Sequence, residues 1–93
     1  MELKELKIIK ENDKGKIFDL GNSKLIVRKK NSISADHNHP EKEILYLIDG
    51  EVELTVGKET KTIKAPIEIN LKQSVYHKIL ALTDIKLIEV KNS

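Results

Sequence analysis

The chain of 93 residues contains no cysteine, no tryptophan, two prolines and only three aromatic residues. Without cysteine it can form no disulfide and no thiolate metal site, so any metal would use nitrogen and oxygen ligands. Lys, Glu and Ile are abundant instead. That bias is found in proteins of hot environments and in proteins encoded by AT-rich genomes.

Long apolar runs are also absent from the chain. No segment approaches the roughly 20 apolar residues that cross a membrane. No charged segment followed by an apolar one marks a signal peptide. We therefore expect a cytoplasmic protein without a membrane partner.

The charges of the chain are balanced. The 17 basic and 15 acidic residues are spread along the sequence and give a net charge of +2. Nucleic-acid binding needs a concentrated basic face, so we expect no nucleic-acid partner. The one local cluster, Arg28-Lys29-Lys30, is interpreted as a solvated strand end.

Short alternating segments separated by turn residues follow one another along the chain. Glu51 to Val56, for example, alternates apolar and polar side chains, and Asp49-Gly50 before it is typical of a hairpin turn. The first dozen residues are ambiguous between a charged helical turn and an edge strand. No repeat or linker interrupts the pattern, so we expect one small all-β domain, residues 1–93, built as a sandwich or barrel.

The stretch from Asp36 to Gly50 contains the residues that carry chemistry. His37 and His39 are separated by one residue, so in an extended strand both project from the same side. Glu43 follows after a short turn that contains Pro40. His77 lies in a later strand-like segment. We interpret His37, His39, Glu43 and His77 as one metal site, since imidazole and carboxylate are the usual ligands without thiolates.

Two of these residues have a structural alternative. A lone histidine on an apolar strand face, such as His77, is more often a core residue than a ligand. Glu43 is one of many glutamates, but it shares its parity with Leu45 and Leu47. A carboxylate on an apolar face needs a partner when it is buried, and a metal would supply one.

The spacing of His37, His39, Glu43 and Gly50 resembles the first signature motif of the cupin family. The second motif of that family resembles Lys72 to His77, and the histidine is retained there. Asn31 and Ser74 stand where the family has glycine, and Lys72 stands where it has proline. The usual A-G-D turn before the second motif reads Ala65-Pro66-Ile67. The resemblance implies a cupin-type double-stranded β-helix, a jelly-roll barrel.

The resemblance also implies a function. Cupins use iron, manganese, nickel or zinc, so we expect a divalent-metal enzyme of oxygenase or isomerase type that acts on a small molecule in the barrel. The catalytic residues beyond the metal ligands are not assigned. The alternative is a non-catalytic cupin that binds a sugar or another small ligand. A weaker third hypothesis is a sugar-nucleotide ketoisomerase, from a loose resemblance at Asp13-Lys14-Gly15.

We also expect a homodimer. A chain this short buries only about 60–65% of its unfolded surface, so a second copy would stabilise it. Ile44, Tyr46 and Ile48 form a second apolar face on one strand. The segment around Ile8 and Ile9 is the candidate for pairing with a partner barrel.

Overall fold

The computed structural model describes residues 1–37 and 42–90, without the side chains of residues 35–37. In this part of the chain there are ten β-strands and no helix, as the sequence predicts. In chain order the strands are β1 (Lys7–Asn12), β2 (Gly15–Asp19), β3 (Ser23–Arg28), β4 (Ile33–His37), β5 (Glu43–Asp49), β6 (Glu51–Val56), β7 (Glu59–Lys64), β8 (Ile67–Leu71), β9 (His77–Ala81) and β10 (Ile85–Val90). The described residues thus include no helix long and apolar enough to cross a membrane.

The strands form two antiparallel sheets. The larger sheet has the order β1-β2-β3-β10-β5-β8, and the smaller sheet has the order β4-β9-β6-β7. Strands distant in sequence are neighbours in both sheets, because the chain crosses repeatedly from one sheet to the other. This arrangement is typical of a jelly roll.

Alternation within β5 shows how the local sequence sets the two faces of the larger sheet. Glu43, Leu45 and Leu47 are buried on the inner face, while Tyr46 and Ile48 are exposed on the outer face. The core lies between the sheets, and each fully buried aliphatic side chain contributes about 1.5–3 kcal/mol. Its buried apolar residues are Ile26, Leu45, Leu47, Val52, Ile69, Leu71, Ile79, Ala81, Ile85 and Leu87.

The hairpin that the sequence predicts at Asp49-Gly50 is wrong. β5 pairs with β8 and β10, whereas β6 pairs with β7 and β9, so the chain changes sheets at Gly50. Gly50 has a φ of 95°, and a Cβ atom there would collide with the carbonyl oxygen of Asp84. The glycine is therefore needed for a close crossing between sheets rather than for a two-residue hairpin turn.

The ambiguous N-terminal segment contains the edge strand β1. Within the described ranges β1 pairs with β2 alone, and all six of its residues are exposed. Ile8 and Ile9 both belong to this strand, so it carries apolar side chains that the described part of the chain does not cover.

Candidate metal centre

Glu43 and His77 meet inside the barrel from opposite sheets. Glu43 begins β5 and is 6% exposed, and His77 begins β9 and is 1% exposed. The Oε2 atom of Glu43 lies 3.4 Å from Nε2 of His77. The parity that the sequence shows for both residues is confirmed, since each shares the inner face with its apolar neighbours.

The His77 ring is oriented by the backbone just before it. Its Nδ1 atom lies 3.2 Å from the carbonyl oxygen of Val75. A carbonyl oxygen only accepts hydrogen bonds, so Nδ1 carries the proton. In the neutral imidazole, Nε2 then directs its lone pair toward Glu43. Such a lone pair and a carboxylate oxygen repel each other unless a proton or a cation lies close to both.

The other two predicted ligands are placed only in part. The backbone of His37 ends β4, and its Cα position pairs with that of His77 in the smaller sheet. His39 lies outside the described residues. Among the described residues, no group of three or more His, Cys, Asp and Glu side chains is arranged to hold a metal. The ligand set of four therefore stays a prediction, of which the structure brings two side chains together.

Two glycine positions of the cupin motifs keep the backbone conformation that favours glycine. Asn31 has a φ of 74° and Ser74 a φ of 61°, and these are the non-glycine residues with positive φ in the described chain. Asparagine tolerates this left-handed region well, and serine tolerates it less well. The altered sequence at both positions thus leaves the local backbone geometry in place.

Apolar residues line much of the inner faces from which Glu43 and His77 project. These residues are buried or half-buried between the two sheets. They are Leu45, Leu47, Val52, Leu54, Ile69, Leu71 and Ile79. Such a wall excludes water and strengthens electrostatic interactions at the buried pair.

A row of charged residues on the inner face of the larger sheet was missed in the sequence. Asp19 pairs with Lys24, Lys24 with Glu89, and Glu89 with Leu45. Directly paired residues share one face of a sheet, so these half-buried charges lie on the same face as Glu43. No sequence signal identifies them, because their alignment depends on the register of four strands that are separated along the chain.

Ser34 is a further polar residue that was missed in the sequence. It pairs with Ile79, and the register shifts between this pair and the pairing of His37 with His77. Its hydroxyl oxygen is covered and hydrogen-bonds to no described residue. Simple alternation along β4 does not predict this position, because the register shift changes the parity within the strand.

The two tyrosines differ in their position relative to the buried pair. Tyr46 lies on the outer face of β5, where a hydrogen bond to Glu68 and the negative charge of that residue raise the pKa of the phenol. Tyr76 lies in the loop before β9, next to His77, and is exposed. Tyr46 therefore faces away from Glu43 and His77.

No protein-family model and no curated protein sequence matches this chain. Solved structures do match it. An RmlC-like cupin from Shewanella frigidimarina NCIMB 400 is 19% identical with a TM-score of 0.77, over 90% of this chain and 80% of that one. A predicted oxalate decarboxylase from Thermotoga maritima is 24% identical with a TM-score of 0.68, over 73% of this chain and 62% of that one.

The capsular polysaccharide assembling protein CapF from Staphylococcus aureus is a third match. It is 17% identical with a TM-score of 0.76, and the match covers 95% of this chain but only 28% of that one. This chain thus spans less than a third of the CapF length. At these identities the similarities show the fold alone, and that fold is the double-stranded β-helix of the cupins.

Proposed function

We propose that this cupin-fold chain binds one divalent transition metal through His37, His39, Glu43 and His77, and uses it in an enzymatic reaction on a small molecule. The observation that carries the proposal is the buried pair of Glu43 and His77. An imidazole nitrogen and a carboxylate oxygen from two different sheets lie 3.4 Å apart in an apolar interior. A cation bound by both would remove the cost of burying them.

The donor atoms fit such a metal. Imidazole nitrogen together with carboxylate oxygen suits iron, manganese, nickel and zinc. The hydrogen bond from Nδ1 of His77 to the Val75 carbonyl is the kind of outer contact that orients a ligating histidine. When bound, the metal would supply Lewis-acid or redox chemistry, of the isomerase or oxygenase type.

The residues of the chain itself would bind and orient the substrate. The apolar inner walls exclude water, and the charged row of Asp19, Lys24 and Glu89 favours a small polar molecule over a purely apolar one. The Thermotoga protein of the same fold is a predicted oxalate decarboxylase, which is a small-molecule enzyme.

A non-catalytic binding protein is the second candidate function. Short connections between strands favour it: Gly50 alone joins β5 to β6, and two residues each join β6 to β7 and β7 to β8. Enzymes often close a long loop over the substrate, and these connections are too short to do so. Turnover of a small-molecule panel by metal-loaded protein separates the two functions.

Metal analysis of purified protein tests the proposal. We expect about one divalent metal per chain in the wild-type protein. We expect His77→Ala and Glu43→Gln each to lower the affinity for that metal by at least tenfold. Glu59→Gln is the matched control, because Glu59 is an exposed glutamate on β7. Circular dichroism establishes that each variant is folded before its metal content is compared.

The contrary result is a simple ion pair. If His77 is doubly protonated and balances Glu43 directly, the wild-type protein will bind no divalent metal at micromolar concentration. Equal metal content in wild type, His77→Ala and Glu43→Gln would also contradict the proposal, since the metal would then bind elsewhere.

A further inference from the structure

Arg28, the last residue of β3, has a guanidinium that protein atoms partly enclose. The sequence predicts a solvated strand end at Arg28-Lys29-Lys30, and Lys29 and Lys30 are exposed as expected. For Arg28 the prediction is wrong. Its Nε and Nη1 atoms are covered, and neither hydrogen-bonds to any described residue. The ion pairs found among the described residues do not include Arg28 either.

This arrangement is electrostatically incomplete. Nε and Nη1 together carry three N–H donors, and a guanidinium stays charged at any physiological pH. Two covered guanidinium nitrogens without an acceptor are unfavourable, and arginine cannot relieve this by losing its proton. A counter-charge from outside the chain would complete it.

The position of Arg28 in the sheet directs it toward one end of the barrel. Arg28 lies on the same face of β3 as the core residue Ile26 and pairs with Ile85, which is buried. On its other side it pairs with Gly15, which adds no side chain to this row. A Cβ atom at Gly15 would collide with the Val27 carbonyl, so the chain is packed tightly there.

Charged residues of both signs lie around Arg28. The Lys29 amide donates to the Lys14 carbonyl at 2.9 Å, which brings the strand end and the turn before β2 together. Lys30 follows, and its amide donates to the Asp84 carboxylate at 2.9 Å. Lys86 also lies at this end, and the carboxylates there belong to Asp13, Asp49, Glu51 and Asp84. The unbonded guanidinium donors of Arg28, rather than a large net charge, therefore favour an anionic ligand here.

We propose that this end of the barrel binds a small oxyanion, such as inorganic phosphate or the phosphate group of a small molecule, through Arg28. Arg28 is half-buried rather than fully enclosed, so its guanidinium can reach a ligand at this end. Charge-assisted hydrogen bonds to phosphate are among the strongest that arginine makes. The strand pairings place Arg28 near the level of Asp49, which is six residues from Glu43 along β5, so the site lies roughly 20 Å from Glu43. It therefore does not depend on the proposed metal centre.

Thermal unfolding in increasing phosphate at constant ionic strength tests the proposal. We expect the Tm of wild-type protein to rise by about 5 to 10 °C between low millimolar and 100 mM phosphate, because the ligand binds only the folded state. Phosphate also stabilises proteins generally by exclusion from their surface. The relevant quantity is therefore the difference in Tm rise between wild type and Arg28→Met.

Lys29→Met is the matched control, because it removes one charge from the same cluster at an exposed position. We expect Lys29→Met to keep most of the phosphate-dependent rise in Tm. We expect Arg28→Met to keep only the rise that comes from the general exclusion of phosphate from protein surfaces. Equal rises in wild type and Arg28→Met would overturn the proposal.

Isothermal titration of wild-type protein gives a measurement that does not require a folded Arg28→Met. Phosphate should bind with a saturable one-to-one isotherm in wild type and in Lys29→Met. Acetate, the second probe, should bind at least tenfold more weakly. No saturable phosphate binding would overturn the proposal, and tighter binding of acetate would overturn the assignment to phosphate.

Discussion

At the scale of single residues, backbone conformation explains how two altered motif positions are tolerated. Asn31 and Ser74 stand where cupins have glycine, and both keep a positive φ. The left-handed region costs roughly 1–2 kcal/mol for an ordinary L-residue, and less for asparagine because its side chain hydrogen-bonds locally. Asn31 is thus a mild substitution, whereas Ser74 holds some backbone strain in the loop before His77.

Ser74→Gly should therefore stabilise the protein. Relief of the left-handed strain outweighs the extra freedom of glycine in the unfolded chain, and we expect a gain of about 0.5–1 kcal/mol. Urea unfolding of metal-free protein measures it. Asn31→Gly is the paired comparison and should change stability by less, so a larger gain there than at Ser74 would contradict this explanation.

At the scale of strands, the connection between β5 and β6 decides how the two sheets are joined. Gly50 combines a φ of 95° with close contact to Asp84 and Ile85. Gly57, between β6 and β7, has a φ of 60° but nothing close to the position of a Cβ atom. The two glycines thus separate the effect of backbone conformation from the effect of packing.

Gly50→Ala should destabilise the protein much more than Gly57→Ala. At Gly57 we expect a loss of about 1 kcal/mol, from the left-handed conformation alone. At Gly50 the added collision with the Asp84 carbonyl raises the loss to about 2–4 kcal/mol. Denaturant midpoints of the two variants give the comparison. Similar losses at both positions would show that the sheet crossing adjusts to a side chain.

At the scale of the whole molecule, the outer face of the larger sheet bears apolar residues that the described chain leaves uncovered. Tyr46 and Ile48 on β5 are exposed, and so is Ile8 on the edge strand β1, which the strand pairings place on the same face as Tyr46. Exposed apolar groups on one face favour association with a second copy. The homodimer expected from the sequence stays a prediction, and these residues indicate where to test it.

Sedimentation at micromolar concentration should show a dimer that Ile48→Lys weakens by about 100-fold. The substitution removes an apolar contact that contributes about 1.5–3 kcal/mol to association, and each 1.4 kcal/mol corresponds to a tenfold change in affinity. Ile33→Lys is the control, because Ile33 is 46% exposed on the smaller sheet and Ile48 is 44% exposed on the larger one. A monomeric wild-type protein, or equal effects of the two variants, would refute the proposed interface.

Metal removal should lower stability without unfolding the barrel. The ten buried apolar residues of the core come from both sheets and do not depend on the proposed ligands for their packing. We expect chelation to lower the Tm by about 5–15 °C while the transition stays cooperative, and added metal to restore it. Circular dichroism follows both steps. Loss of the cooperative transition on chelation would show that the metal is required for folding.

Much of the fold follows from local features of the sequence. The period of two in Glu43 to Ile48 predicts which side chains are buried, because alternation is a property of a single strand. The same rule places His77 with Ile79 and Ala81 on the inner face. The proximity of Glu43 and His77 was expected from motif spacing and family resemblance, and the roles of His37, His39, Glu43 and His77 as metal ligands remain predictions.

Only the tertiary structure decided which strands pair and in which register. The chain changes sheets at Gly50 because β5 pairs with β8 and β10 rather than with β6, its neighbour in sequence. The row of Asp19, Lys24 and Glu89 and the enclosure of Arg28 depend on the same long-range pairings. Backbone hydrogen bonds between strands carry little side-chain information, so the sequence by itself determined the faces of the strands, and packing of the two sheets decided what those faces contact.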